Sequence, residues 1–438
     1  MQAATTRVTA DEARAGPIRS GTSPGLAGAL ELDASPEQVA RSLAAQGPVA
    51  WLDASMPGGW RATLLAPLPA TGHGEVAEGS MDDPADRARL RRWTTTAYGR
   101  PQAAGWPREV VVGSVDFDGR FRFGRCDRVL WHDSRCGRWF GDARLARGLI
   151  SCRLSVGPSR PLPSLFFRQC LDRDQFCAMV RRAQEYIAAG DIYQVNLARR
   201  YEAAWPDDGD AMGLFCRLRR VSPAPHACFL DWGDGRRVLS VSPETLLAFD
   251  GARVLTRPIK GTRPRGITPA GDAALAVELS SCPKEAAELV MITDLLRNDL
   301  GRVCEFGSVK VPELLALRRF SHVQHLVSTV EGRLRPGLDA WEALAACLPG
   351  GSISGAPKLR ALEIIGELEP DRRGLYTGAL GWIGPGGAGE FSIAIRTLVM
   401  EAGRLHFHVG AGVVADSVPD REFDETRHKA AGLLQACA

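Results

Sequence analysis

The sequence predicts an α+β fold built from antiparallel strands and flanking helices, rather than a doubly wound parallel sheet. In the second half of the 438-residue chain, segments with apolar residues at helical spacing alternate with short apolar strands. Several strands follow one another through tight turns, as in LAFDGARVL around Asp250-Gly251, and such turns join antiparallel neighbours. The hairpins therefore favour α+β over repeated βαβ units.

The first 165 residues divide into a tail and a β-rich region. Residues 1–28 are rich in Ala, Gly, Ser, Thr and Arg, and we expect a disordered tail. From 29 to 165, short apolar stretches such as REVVVGSVDF are broken by Gly and Pro, which predicts strands and turns. The proline-rich stretch 156–165 predicts a linker or edge segment. Little chemistry is indicated before residue 166.

Residues 166–438 contain the strongest helix signals. DRDQFCAMVRRAQEYIAAG begins at Asp172, a helix-capping residue, and stops at Gly190. SCPKEAAELVMITDLLRNDLG predicts a second helix, with Pro283 in its first turn. REFDETRHKAAGLL predicts a third helix near the end of the sequence. We expect the catalytic region here.

Composition excludes several classes of protein. A net charge of +3 without an aromatic-basic stripe does not indicate nucleic-acid binding. The 11 cysteines form no CxxC pair, which favours a reduced, cytoplasmic chain over a zinc ribbon or a disulfide scaffold. No apolar run approaches the roughly 18 residues of a membrane span, so no membrane partner is expected.

Two of the predicted helices each present two glutamates three residues apart. Glu285 and Glu288 share one helix face, as do Glu422 and Glu425. Such pairs are often plain surface charge, but apolar residues surround Glu288. Carboxylate pairs that leave positions open for water and substrate oxygens suit Mg²⁺.

Two further segments indicate anion binding. LPGGSISGAPKLRALEIIG predicts a Gly-Ser loop that enters a helix, where backbone N–H groups and the helix dipole favour negative charge, although a helix start can also simply require small residues. Arg396 lies beside small residues on a predicted strand, FSIAIRTLV, and can grip a planar carboxylate. An ordinary ion pair at the core edge is the alternative for Arg396.

Lysine is rare, and its positions are informative. Only five of the 54 basic Lys and Arg residues are lysines, and none precedes Lys260 in RPIKGTRPRG. An amine can act as a nucleophile when its pKa is lowered, for example by cations such as Arg263 and Arg265, whereas arginine cannot. Glu244 begins the strand that pairs, through the Asp250-Gly251 turn, with the strand leading to Lys260. An acid and an amine are therefore predicted to share one pocket, although a chance lysine stays possible.

Ten motifs between about 170 and 435 together resemble the chorismate-binding enzymes. They are GDIYQVNLARR, SPETLL, RPIKGTRPRG, AAELVMITDLLRNDLGRV, HLVSTVEG, LPGGSISGAPK, GLYTGALGWIG, FSIAIRTL, GAGVVADSVP and DETRHKA. Within that family the motifs are most similar to aminodeoxychorismate synthase component I. The resemblance implies antiparallel β-sheets packed face to face with flanking helices, as in anthranilate synthase component I.

The resemblance also implies a reaction. Ammonia-using members have Gln where water-using members have a Lys base, and this chain has Gln194. Anthranilate synthases generally read PIAGT where aminodeoxychorismate synthases often read PIKGT, as here. The implied catalytic residues are Lys260, which attacks chorismate to form a covalent adduct, and Glu244, which acts as the acid.

Other roles are implied position by position. Glu288 and Glu425 match Mg²⁺ ligands, and Glu285 and Glu422 match accessory carboxylates. The residues that match substrate-binding positions are Gln194, Gly261, Thr262, His325, Tyr376, Arg396, Gly410, Ala411, Gly412 and Lys429. Ser222-Pro223 and His226 depart from the family pattern in a segment that lines a tryptophan site in relatives.

The partners implied are chorismate, ammonia and a separate glutaminase subunit in a heterodimer, because no glutaminase signature occurs in the chain. The expected pathway leads to p-aminobenzoate and folate. Anthranilate synthase component I and a non-catalytic chorismate-binding subunit remain the alternatives, and Gln194 disfavours an isochorismate synthase.

Overall fold

A computed structural model describes residues 29–56, 60–69, 75–95, 106–151, 165–320 and 323–438. The predicted disordered tail, residues 1–28, and all of the proline-rich stretch except residue 165 lie outside these ranges.

The helices begin and end at recognisable signals. Asp172 caps one of them with a capping box, and Gly190 follows its end with φ of +82°. None of the helices in the described ranges combines the length and apolar character needed to cross a bilayer. The helices are α1 Pro36–Ala44, α2 Pro84–Thr95, α3 Ala143–Ser151, α4 Arg173–Ala188, α5 Ala211–Val221, α6 Pro269–Ser280, α7 Pro283–Gly301, α8 Ala340–Cys347, α9 Lys358–Leu368 and α10 Pro419–Cys437.

The strands include the predicted hairpin, in which Asp250 pairs with Arg253 and Gly251 turns the chain with φ of +60°. The strands are β1 Val49–Met56, β2 Trp60–Pro67, β3 Val76–Ser80, β4 Val110–Val115, β5 Arg120–Cys126, β6 Leu130–Asp133, β7 Arg138–Gly141, β8 Arg168–Gln169, β9 Gln194–Ala204, β10 His226–Asp231, β11 Arg237–Ser242, β12 Thr245–Asp250, β13 Arg253–Arg257, β14 Ile259–Pro264, β15 Lys310–Arg319, β16 Val323–Arg333, β17 Gly355–Ala356, β18 Ala379–Ile383, β19 Gly389–Ile393, β20 Thr397–Glu401 and β21 Arg404–Val413.

These strands form two antiparallel sheets. The first has the order β17-β9-β21-β20-β11-β10-β1-β2-β6-β7, with β8 beside β9. The second has the order β14-β16-β13-β12-β19-β18-β4-β5-β3, with β15 beside β16. The predicted α+β fold with antiparallel sheets is confirmed.

The sheets pack face to face through a shared apolar layer. Trp131 on β6 of the first sheet meets Trp382 on β18 of the second, with ring centroids 5.1 Å apart. Both indoles are buried, and burying a large apolar side chain contributes roughly 1.5–3 kcal/mol. Helices α1, α5 and α10 cover the outer face of the first sheet, and α7 and α8 that of the second.

Strands from residues 29–165 and from the rest of the chain share both sheets. Strand β1 pairs with β10 in the first sheet, and β4 pairs with β18 in the second. A domain boundary at residue 165 stays a prediction.

The chain crosses between the sheets at two places that concern the site. Pro243 and Glu244 join β11 of the first sheet to β12 of the second. Residues 394–396 join β19 of the second sheet to β20 of the first, and Arg396 has φ of +50°. The prediction of one continuous strand through Arg396 is therefore wrong, because the chain leaves one sheet and enters the other there.

Candidate active site

A cavity of about 600 Å³ is lined by residues from α7, α10, β14, β16, β21 and both crossings. Fourteen of the residues singled out from the sequence line it. They are Glu244, Lys260, Gly261, Thr262, Glu285, Glu288, His325, Tyr376, Arg396, Gly410, Gly412, Glu422, Glu425 and Lys429. The structure thus brings together residues that are nearly 190 positions apart in the chain.

Two of the predicted substrate-binding residues do not line the cavity. Ala411 is fully buried in an apolar cluster, because alternation along β21 turns it away from the face of Gly410 and Gly412. Gln194 is 3% exposed, and its Nε2 would lie 2.7 Å from a Cβ added to Gly412. The Gln194 Oε1 is buried without a hydrogen-bond partner among the described residues.

A local irregularity in β14 positions Lys260. Gly261 has φ of +69°, and the pairing with β16 shifts register between Lys260 and Thr262. A Cβ at Gly261 would lie 2.6 Å from Leu279 Cδ1, so a glycine is required there. The Lys260 side chain is 19% exposed, and its Nζ lies 3.5 Å from Glu288 Oε2.

Glu244 is a buried acid beside this amine. Burial raises the pKa of Glu244 to about 6, although the Ser352 hydroxyl and the charge of Lys260 act in the opposite direction. The backbone N–H of Ile259 also donates to this carboxyl group. A carboxyl group that titrates near neutrality can deliver a proton to a leaving group.

The four glutamates face the cavity from two helices. Burial and then the charge of Glu288 raise the pKa of Glu285, and burial raises the pKa of Glu422. Burial acts to raise the pKa of Glu425 as well, but the charge and the hydrogen bond of Lys429 and the charges of Lys260 and Lys284 together outweigh it, and the pKa is lowered. Lys429 Nζ lies 2.7 Å from Glu425 Oε1 and 2.8 Å from the Gly410 carbonyl oxygen.

The carboxylates of the cavity are the donor type that the predicted Mg²⁺ site requires, and that site stays a prediction. Within the described ranges, no three His, Cys, Asp or Glu side chains converge closely enough to bind an ion without moving. Glu285 nevertheless senses the charge of Glu425, so the carboxylates of α7 and α10 lie within electrostatic reach of each other. A few carboxylates around an open cavity are the environment that Mg²⁺ prefers, with water and substrate oxygens completing the coordination.

The cavity lining also contains Arg396, a cation with no ion-pair partner among the described residues. Burial lowers the pKa of Arg396, and no carboxylate of the described residues lies within ion-pair distance of its guanidinium. Arg396 is half-buried, and a partly desolvated guanidinium without a counter-ion favours binding of an anion. Burial also lowers the pKa of nearby His325, whose Nδ1 lies 3.0 Å from Thr262 Oγ1 and 3.2 Å from the Gly261 carbonyl oxygen.

Tyr376 also lines the cavity. Burial raises its pKa to about 12, so the hydroxyl keeps its proton and can donate a hydrogen bond. A Cβ at Gly410 would lie 2.8 Å from the Tyr376 hydroxyl and 2.9 Å from Asn196 Nδ2. The glycine therefore leaves the space that a ligand needs next to these two polar groups.

The cavity also contains residues that the sequence analysis did not select. Lys284 precedes Glu285 in the chain and is one of only five lysines. The rarity of lysine in this sequence is therefore a signal that indicates Lys284 as well. His408 stacks on Tyr376 with centroids 5.3 Å apart, and only its alternation with Gly410 on β21 indicated its position. Ser352 lies in the Gly-Ser loop, whose predicted role was anion binding at the following helix.

The start of that helix does not line the cavity. Lys358, its first residue, forms an ion pair of 2.6 Å with the buried carboxylate of Asp299.

Elsewhere, His226 lies between the sheets, with Nε2 3.0 Å from Thr245 Oγ1 and Nδ1 3.5 Å from Glu390. The space beside His226 measures about 10 Å³, which is enough for about one water molecule.

Comparisons with known proteins agree on one family. Residues 154–435 match the family model described as chorismate binding enzyme. The chain is 51% identical over 269 residues to anthranilate synthase component 1 of Streptomyces coelicolor, and 46% identical over 263 residues to aminodeoxychorismate synthase component 1 of Bacillus subtilis. These matches cover 61% and 60% of this chain and 52% and 55% of the two relatives. The chain thus spans about half the length of the curated relatives that it matches.

Solved structures give the same fold. The crystal structure of anthranilate synthase component I from Streptococcus pneumoniae has a TM-score of 0.72 at 30% identity, covering 80% of this chain and 86% of that one. The menaquinone-specific isochorismate synthase from Escherichia coli has a TM-score of 0.73 at 19% identity, covering 93% and 92%, and shows the fold alone.

Proposed function

The chain belongs to the chorismate-binding enzymes, and from this premise we propose that it is the large subunit of an aminodeoxychorismate synthase. The proposed reaction converts chorismate and ammonia to 4-amino-4-deoxychorismate and water. The observation that carries the proposal is the Lys260 amine, which lines the same cavity as the buried acid Glu244 and affects the pKa of that acid. One of the curated relatives is named as this synthase.

In the first proposed step, Lys260 displaces the C4 hydroxyl group of chorismate. The neutral amine bonds to C2, the two ring double bonds shift, and the C4–O bond breaks. Protonated Glu244 donates its proton to the departing oxygen, which leaves as water. The covalent adduct divides one difficult substitution into two easier ones.

In the second step, ammonia replaces the lysine. Ammonia bonds to C4, the double bonds shift back, and the C2–N bond to Lys260 breaks. The extra proton on the new amine passes to the Glu244 carboxylate, which restores the acid for the next turnover. Lys260 leaves as the neutral amine, so atoms and charges balance over the cycle.

The substrate is proposed to bind with its ring carboxylate against Arg396 and Tyr376. Arg396 has no carboxylate partner of its own among the described residues, and the Tyr376 hydroxyl keeps its proton. Gly410 and Gly412 leave room for the ring to approach the backbone of β21.

The proposed metal ligands are Glu288 and Glu425, with Glu285 and Glu422 as accessory carboxylates. When bound, Mg²⁺ supplies positive charge to the oxygens of the substrate. Lys429, which pairs with Glu425, balances part of the negative charge of this site.

The ammonia is proposed to come from glutamine through a separate glutaminase subunit, in a heterodimer that serves p-aminobenzoate and folate synthesis in the cytoplasm. The Gln194 amide lies beside Gly412, and its buried Oε1 is an acceptor without a hydrogen-bond partner among the described residues, which supports an ammonia-binding role for this residue.

Product analysis tests the proposal. The protein, chorismate, ammonium and Mg²⁺ should give a product with the mass of aminodeoxychorismate, and the peptide that contains Lys260 should carry a substrate-derived mass increment. Lys260→Ala should reduce turnover by at least about a hundredfold. Lys310→Ala, at an exposed lysine outside the cavity, should not. No turnover in the native protein would instead indicate a non-catalytic chorismate-binding subunit.

Anthranilate synthase component I is the second candidate. It is favoured by the 51% identity to a relative of that name. Fluorescent anthranilate formed together with pyruvate would overturn the first proposal in favour of this one. Unchanged turnover of Lys260→Ala would have the same effect, because the amine would then have no covalent role.

A further inference from the structure

A buried ion pair outside the predicted site holds one wall of the cavity. Arg373 and Glu369 have side chains that are 1% and 5% exposed. The guanidinium binds the carboxylate in a fork, with Nε 2.8 Å from Oε2 and Nη2 2.6 Å from Oε1. Neither residue lines the cavity, so the pair does not contact the substrate directly.

The pair joins separate segments of the chain. Arg373 Nη2 donates to the Asn196 carbonyl oxygen at 2.6 Å, and Nη1 donates to the Ile353 carbonyl oxygen at 3.0 Å. Glu369 Oε1 accepts the backbone N–H of Ala198 at 2.8 Å. Asn196 and Ile353 both line the cavity, so the ion pair fixes β9 and the Gly-Ser loop relative to each other.

The third attachment is to the turn that carries Tyr376. Arg373 Nη1 lies 3.2 Å from Thr377 Oγ1, and the guanidinium carbon lies 5.6 Å from the Tyr376 ring centroid. Thr377 has φ of +64°, an unfavourable conformation for a β-branched residue that the surrounding contacts must maintain. Its N–H donates to the carbonyl oxygen of Ala394, two residues before Arg396.

We propose that Arg373 is a positioning residue that sets the distance between Tyr376 and the facing backbone of Asn196 and Ile353. It thereby determines how tightly the protein binds the ring carboxylate of chorismate. Only a planar fork of N–H donors reaches a carboxylate, two carbonyl oxygens and a hydroxyl group at once, and a lysine ammonium cannot replace it. The inference rests on the proposed function in one respect, namely that chorismate is the ligand.

The test compares Arg373→Lys with a matched control. Arg122 is also buried, at 6% side-chain exposure, and forms a 2.7 Å ion pair with Asp234 but lies outside the cavity lining. Chorismate binding to the Mg²⁺-loaded full chain is measured by calorimetry without ammonia, so that the identity of the product does not enter. Melting temperature and the kcat and KM for chorismate are measured in parallel.

Arg373→Lys should weaken chorismate binding by about tenfold or more and raise KM more than it lowers kcat. Arg122→Lys should lower the melting temperature comparably but leave binding within about twofold of the native protein. Equal binding by Arg373→Lys and the native protein, or equal weakening by both variants, would overturn the inference. If Arg373→Lys does not fold, Glu369→Gln takes its place, with an expected weakening of at least about threefold, and native-like binding would count against the proposal.

Failure of the proposed function gives a different result. A native protein that does not bind chorismate would overturn both the function and the inference. If the native protein binds chorismate but forms another product, the proposed function fails. The role of Arg373 is then still decided by the chorismate binding of the variants.

Discussion

Replacing Glu244 by Gln should abolish proton delivery and make the protein more stable above neutral pH. The side chain keeps its shape, and its amide can still accept the hydrogen bonds from Ser352 and from the Ile259 backbone. The leaving hydroxyl group would lose its proton donor, so we expect kcat to fall by about 10²–10⁴-fold.

The effect on stability follows from the pKa. Burial raises the pKa of Glu244 from an ordinary 4.5 to about 6, so the folded protein prefers the neutral acid. Its stabilising contribution is complete below pH 4.5 and is lost as the pH rises through about 6. A shift of this size corresponds to about 2 kcal/mol at full loss, and Gln cannot lose it because Gln does not titrate.

Urea denaturation of the native protein and of Glu244→Gln between pH 4 and pH 8 measures this contribution to the free energy of unfolding. The free energy of unfolding of Glu244→Gln minus that of the native protein should rise by about 2 kcal/mol across the range, because other titrating groups cancel in the difference. Ser352→Ala provides the matched test, since the Ser352 hydroxyl lowers the pKa of Glu244. In that background the rise should be larger and should extend to higher pH. A difference that does not change with pH would refute the reasoning.

Four other predictions concern the cavity. Lys260→Arg keeps the positive charge but loses the nucleophile. Rapid-quench mass spectrometry should therefore detect no adduct, and activity should fall by at least about a hundredfold. Turnover that persists without an adduct would contradict the covalent step. Gly412→Ala would place a Cβ 2.7 Å from Gln194 Nε2, and ammonia-dependent kcat should fall while chorismate binding changes less, as steady-state kinetics and calorimetry would show. Arg396→Lys loses the planar fork and should raise KM for chorismate by about tenfold or more, whereas an unchanged KM would place the carboxylate elsewhere. Millimolar tryptophan should not inhibit the enzyme, because the space beside His226 is only about 10 Å³, and inhibition at that level would show that the space opens.

Local signals in the sequence predicted much of the fold. The capping residue Asp172 and the stop at Gly190 bound α4 as expected, and the Asp250-Gly251 turn forms the expected hairpin. These features depend on hydrogen bonds within a few residues, so short stretches of sequence are enough to indicate them. The pairing of β1 with β10 and of β4 with β18 joins distant segments and could not be read from local patterns.

The site was predictable where unusual residue types mark chemistry. Lys260 was selected because lysine is rare in this chain, and it lines one cavity with the glutamate pairs. Arg396 was selected for its charge, but the alternating pattern around it concealed the crossing between the sheets. Arg396 has φ of +50°, and its carbonyl oxygen accepts the N–H of Val241, a long-range contact that an alternating sequence does not record. Arg373 was missed because a buried arginine and a surface arginine look alike in a sequence.

Glu244 and Arg396 lie where the chain passes from one sheet to the other, so the proposed catalytic acid and the proposed carboxylate-binding cation depend on how the two layers are aligned. A small shift of one layer relative to the other would therefore change the positions of these two groups in the cavity. Trp131 and Trp382 are buried between the two layers. We therefore expect substitutions at these distant positions to change activity although neither side chain contacts the cavity.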